Sequence, residues 1–103
     1  MSVKRTRPRS VKVLGQKFKI KYLPPDEMEE NCEGVVYTSR REIHLDNSLP
    51  LEQLRRVLIH EIMHAILGVS GISEKLSSPV EESIAVAMES ALQSFRVVYR
   101  VHG

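Results

Sequence analysis

Cysteine occurs once in the 103 residues, at Cys32, and tryptophan does not occur. A single thiol excludes a disulfide framework and an all-cysteine zinc ribbon, and it points to a reducing compartment. No apolar run approaches the length of a membrane span. The N-terminus is basic but has no signal-peptide core, because Val11 to Ile20 is broken by Lys12, Gly15, Lys17 and Lys19. Internal repeats and low-complexity segments are also missing. These absences predict a cytoplasmic protein, including the cytoplasm of a phage-infected or prophage-carrying cell.

Apolar residues make up 42% of the chain and charged residues 27%, a balance that supports one folded domain with a modest core. Residues 1–10 read as a flexible basic leader and 11–103 as a single domain. The net charge of +2 is unevenly spread: Lys4, Arg5, Arg7, Arg9, Lys12, Lys17, Lys19 and Lys21 precede the first acidic residue. Such an arm could contact the phosphates of a nucleic acid. It lacks interleaved aromatics for base stacking, and alternation of Lys17, Lys19 and Lys21 with Phe18, Ile20 and Tyr22 fits a half-buried strand better.

Val11 to Leu23 therefore predicts strand, with Gly15 splitting it into a hairpin, and Pro24-Pro25 ends it. Gly34-Val35-Val36-Tyr37 and Glu42-Ile43-His44-Leu45-Asp46 predict a second hairpin. Pro50 suits the first turn of a helix from about Leu51 to Leu67 that stops at Gly68. Ser78, Pro79 and Glu81 have the spacing of a capping box opening a second helix, whose stripe of Ile84, Met88, Leu92 and Phe95 would pack on the first. The expected fold is α+β: an antiparallel sheet of three to four strands on two long helices.

The first helix contains His60-Glu61-Ile62-Met63-His64, the HExxH pattern of zinc peptidases. Residues i and i+4 lie on one face of a helix, so both imidazoles can reach one ion. By chance such a match arises on the order of once in several hundred chains of this length. The flanking Leu58-Ile59 and Ala65-Ile66-Leu67 would bury the polar triplet, at a cost of several kcal/mol that a bound cation offsets. The bland reading is a core helix with two satisfied histidines.

A catalytic Zn2+ needs a third protein ligand. The metzincin route is closed, since Leu67 and Ser70 stand where its glycine and third histidine belong. A glutamate from the following helix remains, Glu81 or Glu82. Use of Glu81 in the capping box would free Glu82 for metal, whereas a helical wheel sets Glu81 nearer the centre of the apolar stripe. These two arguments oppose each other.

The run Val57 to Leu67, followed by Glu82-Ser83-Ile84-Ala85-Val86-Ala87-Met88, resembles the gluzincin-type zinc peptidases, specifically the short ImmA/IrrE-like and phage-encoded metallopeptidase domains. The resemblance covers roughly Gly34 to Phe95. It implies a zincin-like fold and Glu82 as the ligand, with Ala85 and Met88 matching three and six positions on; Glu81 is held in reserve. It also implies that a protein or peptide substrate docks along the 42–46 strand as a sheet edge.

On this reading His60, His64 and Glu82 hold Zn2+ and Glu61 is the general base of a peptide-bond hydrolase. Candidate oxyanion donors are Tyr37, His44, Tyr99 and His102. Two other functional classes compete: a non-catalytic, metal-stabilised binding or structural protein such as a phage component, and a nucleic-acid-binding module led by the basic arm. An intact Glu61 argues against the scaffold, which has no use for a base.

Overall fold

A computed structural model describes residues 7–102, with side chains over 7–94. Strands β1 (Ser10–Val13) and β2 (Gln16–Leu23) form an antiparallel hairpin. Its two-residue turn has positive φ at Leu14 and Gly15 (50° and 80°), the twist that a tight hairpin requires. Strands β3 (Gly34–Tyr37) and β4 (Glu42–Asp46) form the second hairpin. Both hairpins agree with the sequence.

Their joining does not. The sheet order is β1-β2-β4-β3, and β2 pairs with β4 in parallel, Ile20 opposite Ile43 and Tyr22 opposite Leu45. The sheet is mixed where an antiparallel one was expected. Ile43 and Leu45 are fully buried, whereas every residue of β3 is half-buried. Burial thus draws β4 to the centre and leaves β3 at the edge. The 42–46 strand is therefore not a sheet edge, and no substrate can add to it, because it has neighbours on both sides.

Phe18 and Ile20 point from β2 to the face that carries Ile43 and Leu45, while Lys17, Lys19 and Lys21 stand exposed on the other face. Full burial of each large apolar side chain contributes about 1.5–3 kcal/mol. Helix α1 (Leu51–Val69) covers this face with Leu54 and Ala65, flanked by Val57, Leu58, Ile62 and Ile66. Asp46 turns the chain into the helix by accepting hydrogen bonds from the Ser48 amide (2.8 Å) and hydroxyl (2.6 Å). Pro50 is the N-cap, one position before the expected first turn, and its carbonyl accepts the Leu54 amide at 2.8 Å.

Gly68 lies inside α1 and does not end it. A Cβ there would meet Thr38 Oγ1 at 2.6 Å, so the glycine admits the tip of the β3–β4 hairpin. The left-handed residue is Gly71 (φ 83°), after which a short 3-10 turn (Ile72–Lys75) leads to α2 (Ser78–His102). Helix α2 packs on α1 through Ala85, which is fully buried, with Ile84, Met88 and Leu92 half-buried beside it; the Phe95 side chain lies outside the described ones.

The expected leader, residues 1–10, lies in large part outside the described residues. Residues 1–6 lie outside the described chain, but β1 starts at Ser10 and the segment before it is tied to the sheet. Tyr22 donates to the Pro8 carbonyl at 2.5 Å, and the Ile20 amide to the Arg9 carbonyl at 2.9 Å. The Arg7 guanidinium lies over the Tyr22 ring and donates to the Asn47 carbonyl. Among the described residues no helix is long and apolar enough to cross a membrane.

Candidate metal centre

His60 and His64 leave the same face of α1 one turn apart and point at α2, their rings edge to face with centroids 4.9 Å apart. Glu82, in the first turns of α2, meets both. Its carboxylate lies 3.1 Å from His60 Nε2 and 2.9 Å from His64 Nε2. A ligand atom from each of the three residues lies within 4.8 Å of the others. A tetrahedron with metal–donor bonds of about 2.0–2.1 Å has edges of roughly 3.4 Å, so two imidazole nitrogens and one carboxylate at this spacing fit a zinc ion as a donor set.

Glu81 is not part of that set. Its carboxylate accepts from His64 Nδ1 at 2.6 Å and from the Ser73 hydroxyl at 2.5 Å. The expected capping box is therefore not formed. The helix starts one residue early, with the Ser77 carbonyl accepting the Glu81 amide at 2.9 Å. Glu89 does for His60 what Glu81 does for His64, lying 3.0 Å from Nδ1. Sequence reasoning passed over Glu89, although a signal was there: it follows Glu82 by seven residues, two helical turns, and so shares its face.

Glu61 lines the same cleft on the side nearer the sheet and is only 7% exposed. It is packed against Gly34 at the start of β3, where a Cβ would meet its Cγ at 3.0 Å. Burial pushes its carboxyl above the ordinary range, partly offset by His64 and His60. For His64, burial works against the charged ring, but the carboxylates of Glu81 and Glu82 outweigh it and raise the pKa. Glu81 is held below its ordinary value, by the Ser73 hydroxyl first and His64 second.

These side chains line an open cleft of about 870 Å³ between α1, α2 and the outer edge of β3. The Asp46 amide bonds to the Glu33 carbonyl, and Val35 faces His44 across the ladder. Alternation in an antiparallel pair then turns the backbone groups of Gly34 and Val36 away from β4, toward the cleft. Of the four candidate oxyanion donors, the two whose side chains are described, Tyr37 and His44, do not line it. Tyr37 bonds to Glu29 and His44 to Glu42, and the side chains of Tyr99 and His102 lie outside the described ones. Among the described side chains, the Lys or Arg that lines the cleft is Arg56, one turn before His60 on the same helix.

A profile of the family described as Peptidase_M78, the IrrE N-terminal-like domain, matches residues 16–89. The chain belongs to this family. Comparison with curated proteins and with solved structures finds no match. The chain is thus a metallopeptidase-like domain, and the stretch that matches Peptidase_M78 runs from the first residue of β2 to Glu89. It contains Glu61, the three candidate ligands and both carboxylates behind the histidines.

Proposed function

We propose that the protein is a zinc-dependent endopeptidase. The observation that carries this reading is the convergence of His60 Nε2, His64 Nε2 and the Glu82 carboxylate on one point in an open cleft, with Glu61 beside it and no part of the donor set. Bound there, zinc would polarise the scissile carbonyl and lower the pKa of a water from about 15.7 toward 7.

The chain's own residues supply the rest. Glu61 takes a proton from the attacking water as its oxygen bonds to the carbonyl carbon, and delivers that proton to the nitrogen as the C–N bond breaks. A carboxylate whose burial has raised its pKa is a stronger base than an exposed one. Substrate adds as a further strand to β3, where the free amides and carbonyls of Gly34 and Val36 bond its backbone and hold the scissile bond over the cleft. Because Gly34 packs on Glu61, the docked strand and the base share one support.

The test is metal content followed by cleavage. Purified protein should hold one zinc per chain, removable by a chelator, and should generate new peptide termini in a lysate of the source cell; Glu61→Gln should keep the zinc and generate none. A protein that binds no zinc, or a Glu61→Gln variant that cuts as fast as wild type, defeats the proposal.

A further inference from the structure

The carboxylates behind the two histidines have their own geometry. Each accepts from a ring Nδ1 with one oxygen and from a second donor with the other. Glu81 joins His64 (2.6 Å) to Ser73 (2.5 Å), and Glu89 joins His60 (3.0 Å) to Gln93 (3.3 Å). An ionised carboxylate only accepts, so the Nδ1 that faces it carries the hydrogen. That leaves the Nε2 lone pair of each ring aimed at Glu82. A carboxylate with both oxygens engaged cannot swing, so the ring it holds cannot turn over.

Exposure separates these groups from ordinary surface acids. Their side chains are 20% and 21% exposed, against 56% for Glu82. The outer pair is more sheltered than the ligand in front of it, and charge-assisted bonds strengthen as water is removed. One stretch of α2 thus carries the third ligand at Glu82 and a brace for each histidine on either side of it.

We propose that Glu81 and Glu89 are positioning residues that lock His60 and His64 with Nε2 forward and thereby set the affinity of the centre for zinc. The proposal rests on reading the site as a zinc centre. Ser73 and Gln93 complete the braces, which makes the connector between the helices part of the metal site although none of its residues reaches the metal point.

The experiment measures zinc affinity by competition with a chromophoric chelator, together with the ring N–H proton signals of the zinc-loaded protein by NMR. Glu81→Ala and Glu89→Ala should each bind zinc about 10–100-fold more weakly, the loss typical of removing the carboxylate behind a ligand histidine. Glu81→Gln and Glu89→Gln retain an acceptor oxygen and should recover most of it. In wild type both Nδ1–H protons should appear downfield and exchange slowly; Glu89→Ala should lose the His60 signal alone and Glu81→Ala the His64 signal alone. A role in helix packing would leave those signals in place. If wild type binds zinc and the alanine variants bind it within about twofold, or keep both signals, the braces are refuted while the zinc centre stands. If wild type binds no zinc, both readings fall.

Discussion

Replacing Gly34 by alanine probes how closely β3 is set against α1. The new Cβ would lie 2.6 Å from Val57 Cγ1, 3.0 Å from Glu61 Cγ and 3.1 Å from Leu45 Cδ2. Carbon atoms rest at about 3.5–4.0 Å, so either β3 retreats by roughly 1 Å or three side chains move. Leu45 is fully buried and Val57 is β-branched, so neither gives way cheaply. Overpacking of this kind costs about 1–3 kcal/mol, and in a domain of this size each kcal/mol lowers Tm by about 4–8 °C. Thermal unfolding of Gly34→Ala should therefore show a Tm roughly 4–24 °C below wild type. Gly68→Ala is the comparison: its Cβ meets Thr38 Oγ1 at 2.6 Å, but alanine in the helix returns about 1 kcal/mol, so its net loss should be smaller. A Tm for Gly34→Ala within about 1 °C of wild type would show that β3 is not pinned to the motif helix, and the shared support for substrate strand and base would go with it.

Chelation should lower Tm by several degrees or more and added zinc restore it, because metal that binds only the folded chain contributes about 4 kcal/mol at 1,000 times Kd; an unchanged curve in a chelator shown to strip the metal would place the site outside the folding unit. Glu82→Gln should lose zinc far more completely than Glu81→Gln, measured as bound metal per chain, and the reverse order would exchange their roles. Glu61→Gln should cost at least about two orders of magnitude in cleavage rate. In metal-free protein the same substitution should stabilise: a carboxyl raised in the fold gives stability that is complete below the unfolded pKa and is lost as pH rises through the folded one. Its Tm should exceed that of wild type at neutral pH and meet it below about pH 4, and curves that never separate would contradict the burial of Glu61. Glu42 is held down to about 2, by His44 first and Arg40 next. Its contribution is present above the unfolded value and lost as pH falls toward 2, so Glu42→Gln should be less stable than wild type at neutral pH and converge with it in acid.

Local signals carried most of the reading. The alternation in β2, the turn at Gly15 and the HExxH spacing each lie within a few residues, and each is present in the structure. What escaped depends on contacts between distant segments. Nothing within residues 42–46 says whether the strand sits at the centre or the edge; that follows from its burial against Phe18, Ile20 and α1. The rivalry of Glu81 and Glu82 could not be decided on a helical wheel because both reach His64, one at each nitrogen of the imidazole ring. The capping box failed for the same reason: its spacing is local, but His64 and Ser73 compete for the Glu81 carboxylate and offer charge-assisted or short bonds that a serine amide does not match.

The two ends of the sheet face opposite demands. At β1 the outermost strand carries Lys12 and is short, features that discourage pairing with another chain. At β3 the residues are Gly-Val-Val-Tyr, with no charge and with backbone groups turned outward. Such an edge cannot distinguish an incoming substrate from a second copy of itself. The cost of leaving it open is colloidal: when the cleft has nothing to hold, β3 is the place where two molecules would first pair, and solubility on storage becomes a property of the same four residues on which we propose that substrate docks.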